Sequence, residues 1–300
     1  MHYKPNADLT VYLTYAKGFQ AGGYAPLNPF AAALKPQEVE DVEGGIKGRL
    51  FGRLLTFDIS AYYYNYTNLI VTQLNQAGTA LASLNAGKAR LYGLEANFDA
   101  RPVDGLHFNL ALGLSKARYV TFSQPNTDLF APSASYVAAN DPYVGKLLPG
   151  CPAVDANGAP LALAPNVSNN PGSVGAICPV NLKGNALNRA PDYTVNAGAD
   201  YSIESAIGKF TLRGEASISG KMFFTAFNTP AFTQKAYSVL NASLAYEHSS
   251  GRYYARLWAR NLTNKYYFVG QAPSSNAQGG QAYALPGTPR TIGITAGFNL

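Results

Sequence analysis

Apolar and polar residues alternate singly along most of this chain, and the alternation is cleanest at its end. Arg290, Ile292, Ile294, Ala296, Phe298 and Leu300 share one parity; Thr291, Gly293, Thr295, Gly297 and Asn299 share the other. A β-strand sends successive side chains to opposite faces, so this segment predicts a ribbon with one apolar and one wet face. The same period of two predicts nine earlier strands. They run over about 8–18 (Leu9, Val11, Leu13, Tyr15), 38–50 (Val42, Ile46, Leu50), 55–64, 92–100, 106–115, 193–203, 210–219, 240–247 and 253–260. In the fifth, Leu106, Phe108, Leu110, Leu112 and Leu114 stand against His107, Asn109, Gly113 and Ser115. No stretch carries the period of an amphipathic helix.

The connections alternate too. Those at 51–53, 102–105, 204–208 and 248–251 are tight; those at 19–37, 68–85, 121–188, 223–234 and 264–287 are long. Strands of about ten residues with a strict dyad repeat, short turns on one rim and long loops on the other, are the signature of an outer-membrane β-barrel. The fold class expected is therefore all-β: an antiparallel transmembrane barrel, of which about ten strands are present. A soluble sandwich or solenoid fits less well, because soluble strands average five or six residues and no short period repeats here.

Composition agrees. Charged residues are only 13% of the chain, about half the share in an ordinary globular domain. Tyrosine, at 21, outnumbers phenylalanine, at 15, and Tyr favours membrane interfaces. No run of 18 apolar residues exists, so no transmembrane helix is available. The net charge of +6 is spread without a basic block, which gives nucleic-acid binding no support. Cys151 and Cys178 both fall in the Pro-, Gly- and Asn-rich stretch 121–188, away from any CxxC or His cluster. They predict a loop disulfide made in an oxidising compartment rather than a metal site, stabilising the loop by about 3 kcal/mol. Residues 1–8 lack the charged and apolar regions of a signal peptide. The histidines, His2, His107 and His248, sit at the terminus or beside short turns, the wrong rim for an extracellular hydrolytic site. Gly-x-Ser-x-Gly and His-Glu-x-x-His are absent, so no enzyme is expected.

Six segments, in order, resemble the carboxy-terminal barrel of TonB-dependent outer-membrane receptors of the siderophore type. They are Tyr12-Leu-Thr-Tyr-Ala-Lys-Gly-Phe-Gln-Ala-Gly-Gly-Tyr24, Pro36-Gln-Glu-Val-Glu-Asp-Val-Glu-Gly-Gly-Ile-Lys47 and Tyr62-Tyr-Tyr-Asn-Tyr-Thr-Asn-Leu69. Asn85-Ala-Gly-Lys-Ala-Arg-Leu-Tyr-Gly-Leu-Glu95, Arg260-Asn-Leu-Thr-Asn-Lys-Tyr266 and Pro286-Gly-Thr-Pro-Arg290 complete the set. The resemblance spans residues 1–300 apart from 121–188, which it makes a long extracellular loop. It implies a 22-stranded barrel with an amino-terminal plug domain, importing ferric siderophores or similar scarce nutrients with energy from the TonB complex. The TonB box, the plug and the first strands are absent from the chain by that comparison, which makes it the last ten strands of the 22. No resident cofactor is implied, since a ferric siderophore is cargo. The partners implied are the TonB complex, the plug, the barrel-assembly machinery, a small nutrient ligand and the lipid bilayer.

In such a receptor Phe19, Tyr24, Phe223, Phe224, Phe227 and Tyr267 are candidate ligand contacts on the loops. Arg256 and Arg260 are candidate inner-wall cations facing an anionic ligand. The plainer roles are an interfacial aromatic girdle and, for the arginines, pairing with the plug or with lumen carboxylates such as Glu215. Phe298 and Leu300 form the expected assembly signal, although the family's usual last residue is Phe. A self-contained, passive ten-stranded pore is the competing function, and it would have to fit loop 121–188 above a narrow lumen.

Overall fold

The computed structural model describes residues 1–24, 33–74, 81–125, 179–273 and 282–299. Cys151, Cys178, Leu300 and most of the 121–188 segment therefore lie outside the described residues.

The chain opens with β1 (His2–Asn6), β2 (Leu9–Gln20), β3 (Gln37–Leu50) and β4 (Leu55–Thr67). A short hairpin, β5 (Ile70–Leu74) and β6 (Leu81–Asn85), precedes the long pair β7 (Lys88–Val103) and β8 (Leu106–Thr121). Another, β9 (Ser123–Pro125) with β10 (Pro179–Asn181), leads to β11 (Tyr193–Ser205) and β12 (Gly208–Ser219). After β13 (Met222–Phe223) and β14 (Thr233–Gln234) come β15 (Tyr237–His248) and β16 (Tyr253–Arg260). The hairpin β17 (Phe268–Pro273) and β18 (Ala282–Pro286) leads to the last strand, β19 (Thr291–Phe298).

Eleven of these make one antiparallel sheet in the order β1-β2-β3-β4-β7-β8-β11-β12-β15-β16-β19, a meander without crossovers. The sequence pattern predicts ten. The eleventh is β1, which pairs with β2 through His2 opposite Tyr12 and Tyr3 opposite Val11. Its five residues carry Pro5 and no alternation, so periodicity does not reveal it; proline, lacking an N–H, is tolerated because β1 lies at a sheet edge. The four short hairpins rise from the long connections and pair only within themselves. Among the described residues no helix is long and apolar enough to cross a membrane.

Parity sorts the side chains as expected, and the apolar face is the uncovered one. Leu13, Leu94, Leu114, Leu212, Leu244, Leu257 and Ile292 are all exposed, and Ile294 reaches 77%. So large a continuous apolar surface is untenable in water and marks contact with a partner or with lipid. Among the described residues the buried hydrophobic cluster lies not in the middle of the wall but at its loop end. It joins Ala86, Ala89, Tyr119, Phe122, Leu182 and Ala226 at the base of the long loops.

The apolar band does not run parallel to the ladder. The pairing row of Leu9, the first apolar residue of β2, passes through Phe57, Phe98, Leu110, Ala197 and Ala216 to Leu240. Leu9 lies at the short-turn end of the band on β2, whereas Leu240 lies at the loop end of the band on β15. The strands are therefore tilted relative to the band, the geometry that barrel walls adopt. Tyrosines mark its loop-side edge: Tyr15, Tyr63 and Tyr92 fall in one row, and the last two stack with centroids 6.4 Å apart. Phe210 and Tyr246, 4.8 Å apart, lie toward the short-turn side.

Candidate functional site

The polar face is held by charge networks that link neighbouring strands. Tyr12 donates its hydroxyl to Glu43 (2.8 Å). His107 sits between two carboxylates, with Nε2 2.6 Å from Asp99 and Nδ1 3.0 Å from Asp200. Arg213 donates from Nη1 to Asp200 (2.7 Å) and from Nε to Glu215 (2.9 Å). Four consecutive wall strands are thus joined by ionisable side chains, each offered by its strand's parity.

Over the last strands, aromatic rings lie flat on glycines. A Cβ at Gly293 would fall 2.3 Å from the Trp258 ring, and one at Gly297 would fall 2.5 Å from that of Tyr254. The small parity of β19 is therefore a seat for the large polar-face rings of β16. Trp258 completes its own contact by donating Nε1–H to the Thr295 hydroxyl (3.2 Å).

Beside these rings is a hollow of about 760 Å³ lined by Lys209, Arg213, Glu215, Glu247, Arg256 and Arg260 among others. Arg256 donates to the Ser243 hydroxyl (3.1 Å), and Arg260 lies over the Trp258 ring (5.2 Å). Glu215, one carboxylate that these arginines could pair with, is held by Arg213 (2.9 Å). Among the described residues no carboxylate pairs with Arg256 or Arg260, so the hollow presents two accessible guanidiniums suited to an anion.

The loop aromatics separate into distinct roles. Phe19 shares the parity of Leu13 and Tyr15, lies opposite Glu38 and is 78% exposed, which puts it on the outward, apolar side. Tyr24 is exposed beside the Gly23–Leu34 bridge. Phe223 is half-buried, with the Lys221 ammonium 4.7 Å above its ring. Phe224 is buried, and Phe227 packs against the cluster at the loop bases. Tyr267 stacks on Tyr237 at 4.5 Å and accepts the Gly287 amide (2.8 Å). Phe224, Phe227 and Tyr267 are thus committed to holding loops together, while Arg256 and Arg260 share one hollow. Phe298, 66% exposed, lies on the apolar face opposite Tyr253.

What the sequence pattern misses is a set of side-chain amides tying several of the long connections to one another. Gln37 accepts from Ile70 N–H (2.8 Å), and Asn85 accepts from Lys35 N–H (2.8 Å) and donates back to its carbonyl (3.1 Å). Asn228 makes the same reciprocal pair with Ala186 (2.7 and 3.0 Å), and Gln234 accepts from Phe268 N–H (2.7 Å). Asn68, Asn228, Asn261 and Asn264 all have positive φ, a region asparagine enters more readily than other non-glycine residues. Asparagine at a strand's loop end is the signal that could have revealed them.

Asp192 anchors another connection. It accepts from Arg118 (3.0 Å) and Lys116 (3.3 Å). Partial burial opposes its ionisation, but the two cations prevail and hold its carboxyl below the usual range. Its folded-state pKa being depressed, the contribution is present above the unfolded value of about 3.9 and is lost as pH falls through the lower, folded one. Both partners are partly exposed, so the effect is below about 1 kcal/mol. The protection factor of the Ser115 amide, which donates to the Asp192 carbonyl (3.0 Å), should fall below about pH 4. In Asp192→Asn that acid step should vanish; an identical step in the variant would assign it to another group.

Two-faced strands in an unbroken meander, with every long connection on one rim, define the wall of a membrane-barrel protein. The chain belongs to the family described as TonB dependent receptor-like, beta-barrel, which matches residues 1–262. These proteins are outer-membrane transport receptors, not enzymes. No curated protein matches the chain. Among solved structures, the ferric yersiniabactin uptake receptor FyuA from Yersinia pestis is similar over 99% of this chain, with 17% identity and a TM-score of 0.68. The siderophore receptor PiuA from Acinetobacter baumannii is similar over 98%, with 16% identity and a TM-score of 0.64. BauA, the ferric preacinetobactin receptor of the same organism, is similar over 99%, with 16% identity and a TM-score of 0.59. At these identities the likeness is one of fold. The chain spans about a third of their lengths: 36%, 34% and 35%.

Proposed function

We propose that this chain is the carboxy-terminal wall of a 22-stranded receptor that imports a ferric siderophore or a similarly scarce nutrient, energised by the TonB complex. The observation that carries it is the two-faced meander with its long connections on one rim, matched to the family over residues 1–262. The names of the relatives support an iron-bearing ligand. The apolar face meets lipid, the polar face meets a plug domain, and the long-connection rim is extracellular. Plug, TonB contact and the remaining strands belong to parts of the protein outside this chain. The exposed sheet edges β1 and β19 are where those further strands join, since an unpaired ladder in lipid costs several kcal/mol per backbone group. Phe298 and Leu300 serve the barrel-assembly machinery. Loop segment 121–188 contributes to ligand capture together with Tyr24 and Phe223, and Arg256 and Arg260 attract the anionic ligand.

Uptake of radiolabelled iron complexes into iron-starved cells tests this. Deleting the gene should reduce uptake of the cognate complex to background, and so should loss of TonB in an otherwise wild-type strain. Uptake that survives without TonB would point instead to a passive pore. Replacing Arg256 and Arg260 together by Ala should weaken capture of an anionic complex by about tenfold, a loss near 1.4 kcal/mol. Unchanged capture would assign both arginines to the plug interface.

A further inference from the structure

Beyond the tyrosine edge of the apolar face, the outward positions on β7 and β8 turn cationic. On β7, Lys88 and Arg90 lie loop-ward of Tyr92; on β8, Lys116 and Arg118 lie loop-ward of Leu114. All four share the outward parity: Lys88, Arg90 and Tyr92 pair in unbroken register with Thr67, Asn65 and Tyr63 on β4, while Arg118 pairs directly with Arg90 and Lys116 with Tyr92. Like charges directly opposite one another repel and destabilise a ladder. Among the described residues a single carboxylate meets the group: Asp192 accepts from Arg118 at 3.0 Å and from Lys116 at 3.3 Å. Arg90 is held instead over the Tyr63 ring, 5.7 Å from its centroid. The nearby acids Glu38 and Glu40 are already engaged by Lys17 (3.1 and 3.9 Å). Among the described residues, four cations on two adjacent strands thus face outward with one anion among them.

We propose that Lys88, Arg90, Lys116 and Arg118 form a site for the phosphate of a lipid headgroup in the leaflet bordering the long-connection rim. Guanidiniums and ammoniums on neighbouring strands supply the charge-assisted donors that a phosphate accepts. The lipid origin follows from position. The patch begins where Tyr63, Tyr92 and Leu114 end, so a phosphate bound there carries its acyl chains down over Leu94 and Leu114, both exposed. Interfacial cations are attracted to anionic headgroups in this way, and the bound phosphate removes the Arg90–Arg118 repulsion.

The inference rests on the lipid-facing assignment of the apolar face, and the two fail differently. A wrong assignment shows as assembly that tolerates charge on that face; a wrong site shows as unaltered phosphate-lipid binding by correctly assembled protein. The test uses the complete protein carrying this chain, assembled in outer membranes and extracted in non-ionic detergent. Its affinity is titrated in mixed micelles with phosphatidic acid, and with diacylglycerol of the same chains. Arg90→Ala with Arg118→Ala should weaken phosphatidic acid binding roughly thirtyfold, and Lys88→Gln with Lys116→Gln by a similar factor. Arg252→Ala, at a short turn, should change nothing, and diacylglycerol should bind all variants weakly and equally. Heat-resistant mobility on gels confirms that each variant is assembled, and the lysine pair keeps the test open should the arginine pair misassemble. Unchanged affinity in an assembled double variant overturns the site. Inorganic phosphate binding as tightly as phosphatidic acid would overturn its lipid character.

Discussion

Ile294→Lys should block assembly of the protein in the outer membrane, and Leu110→Lys should do the same. Ile294 pairs with Leu257 across the ladder and is 77% exposed on the apolar face. Leu110 pairs with Phe98 and Ala197 in the middle of the band on β8. Each would carry an ammonium into hydrocarbon, at about 2–4 kcal/mol near the bilayer midplane. The neighbouring Thr295→Lys is the informative contrast. Thr295 lies opposite Arg256 on the polar face, where its hydroxyl accepts from Trp258 (3.2 Å). Substitution there removes one hydrogen bond and adds a like charge, a loss of about 1–2 kcal/mol in a hydrated setting. The assembled fraction, read from heat-modifiable migration, should fall steeply for the first two variants and slightly for the third. Equal tolerance at 294 and 295 would sink the assignment of faces.

The second large effect is expected at Asn261, one of very few polar side chains that the structure buries fully (2% exposed). Its Nδ2 donates to the Lys265 and Thr288 carbonyls (2.9 and 3.0 Å), its Oδ1 accepts from Lys265 N–H (2.7 Å), and its own N–H donates to Asn241 Oδ1 (3.0 Å). It therefore clamps the connection leaving β16 to the segment that enters β19, and it does so at a φ of 47°. Asn261→Ala leaves three backbone groups without their partners, at about 1–3 kcal/mol for each that water cannot reach. The left-handed backbone adds a smaller increment, below about 1 kcal/mol, because alanine tolerates that region less well than asparagine. Thermal unfolding of the purified protein should shift down by several degrees or more, and proteolysis between 261 and 290 should accelerate. Asn261→Gly relieves the backbone term alone, so it should recover about 1 kcal/mol and no more. A silent Ala variant would show that the clamp is redundant.

Parity carried the fold because the strand period is two and the solvents on the two faces differ. Leu106, Phe108, Leu110, Leu112 and Leu114 announce their strand, its facing and its length without any help from neighbours. The tight and long connections announce the two rims for the same reason, since turn residues interrupt the alternation where the chain reverses. The edge strand β1 escaped because Pro5 and its short length erase the period. The candidate site was legible only in part. Arg256 and Arg260 stand out as cations at lumen parity, but the linear string does not show that Glu215 is engaged by Arg213, two residues away on its own strand. Phe224, Phe227 and Tyr267 look like accessible loop aromatics in a linear string, yet the loops fold onto one another and bury or stack them.

Which face each wall residue occupies is a local property, set by covalent geometry and written two residues at a time. Which residues meet is a non-local one. The Arg90–Arg118 confrontation joins positions 28 apart, the Asn228–Ala186 clasp positions 42 apart, and the His107–Asp200 contact positions 93 apart. Each depends on register between strands and on the return path of a long connection. Neither is encoded in the period of any single strand, so alternation could specify the wall and its two solvents, while only the assembled ladder could bring together the clamps, the basic hollow and the outward cationic patch.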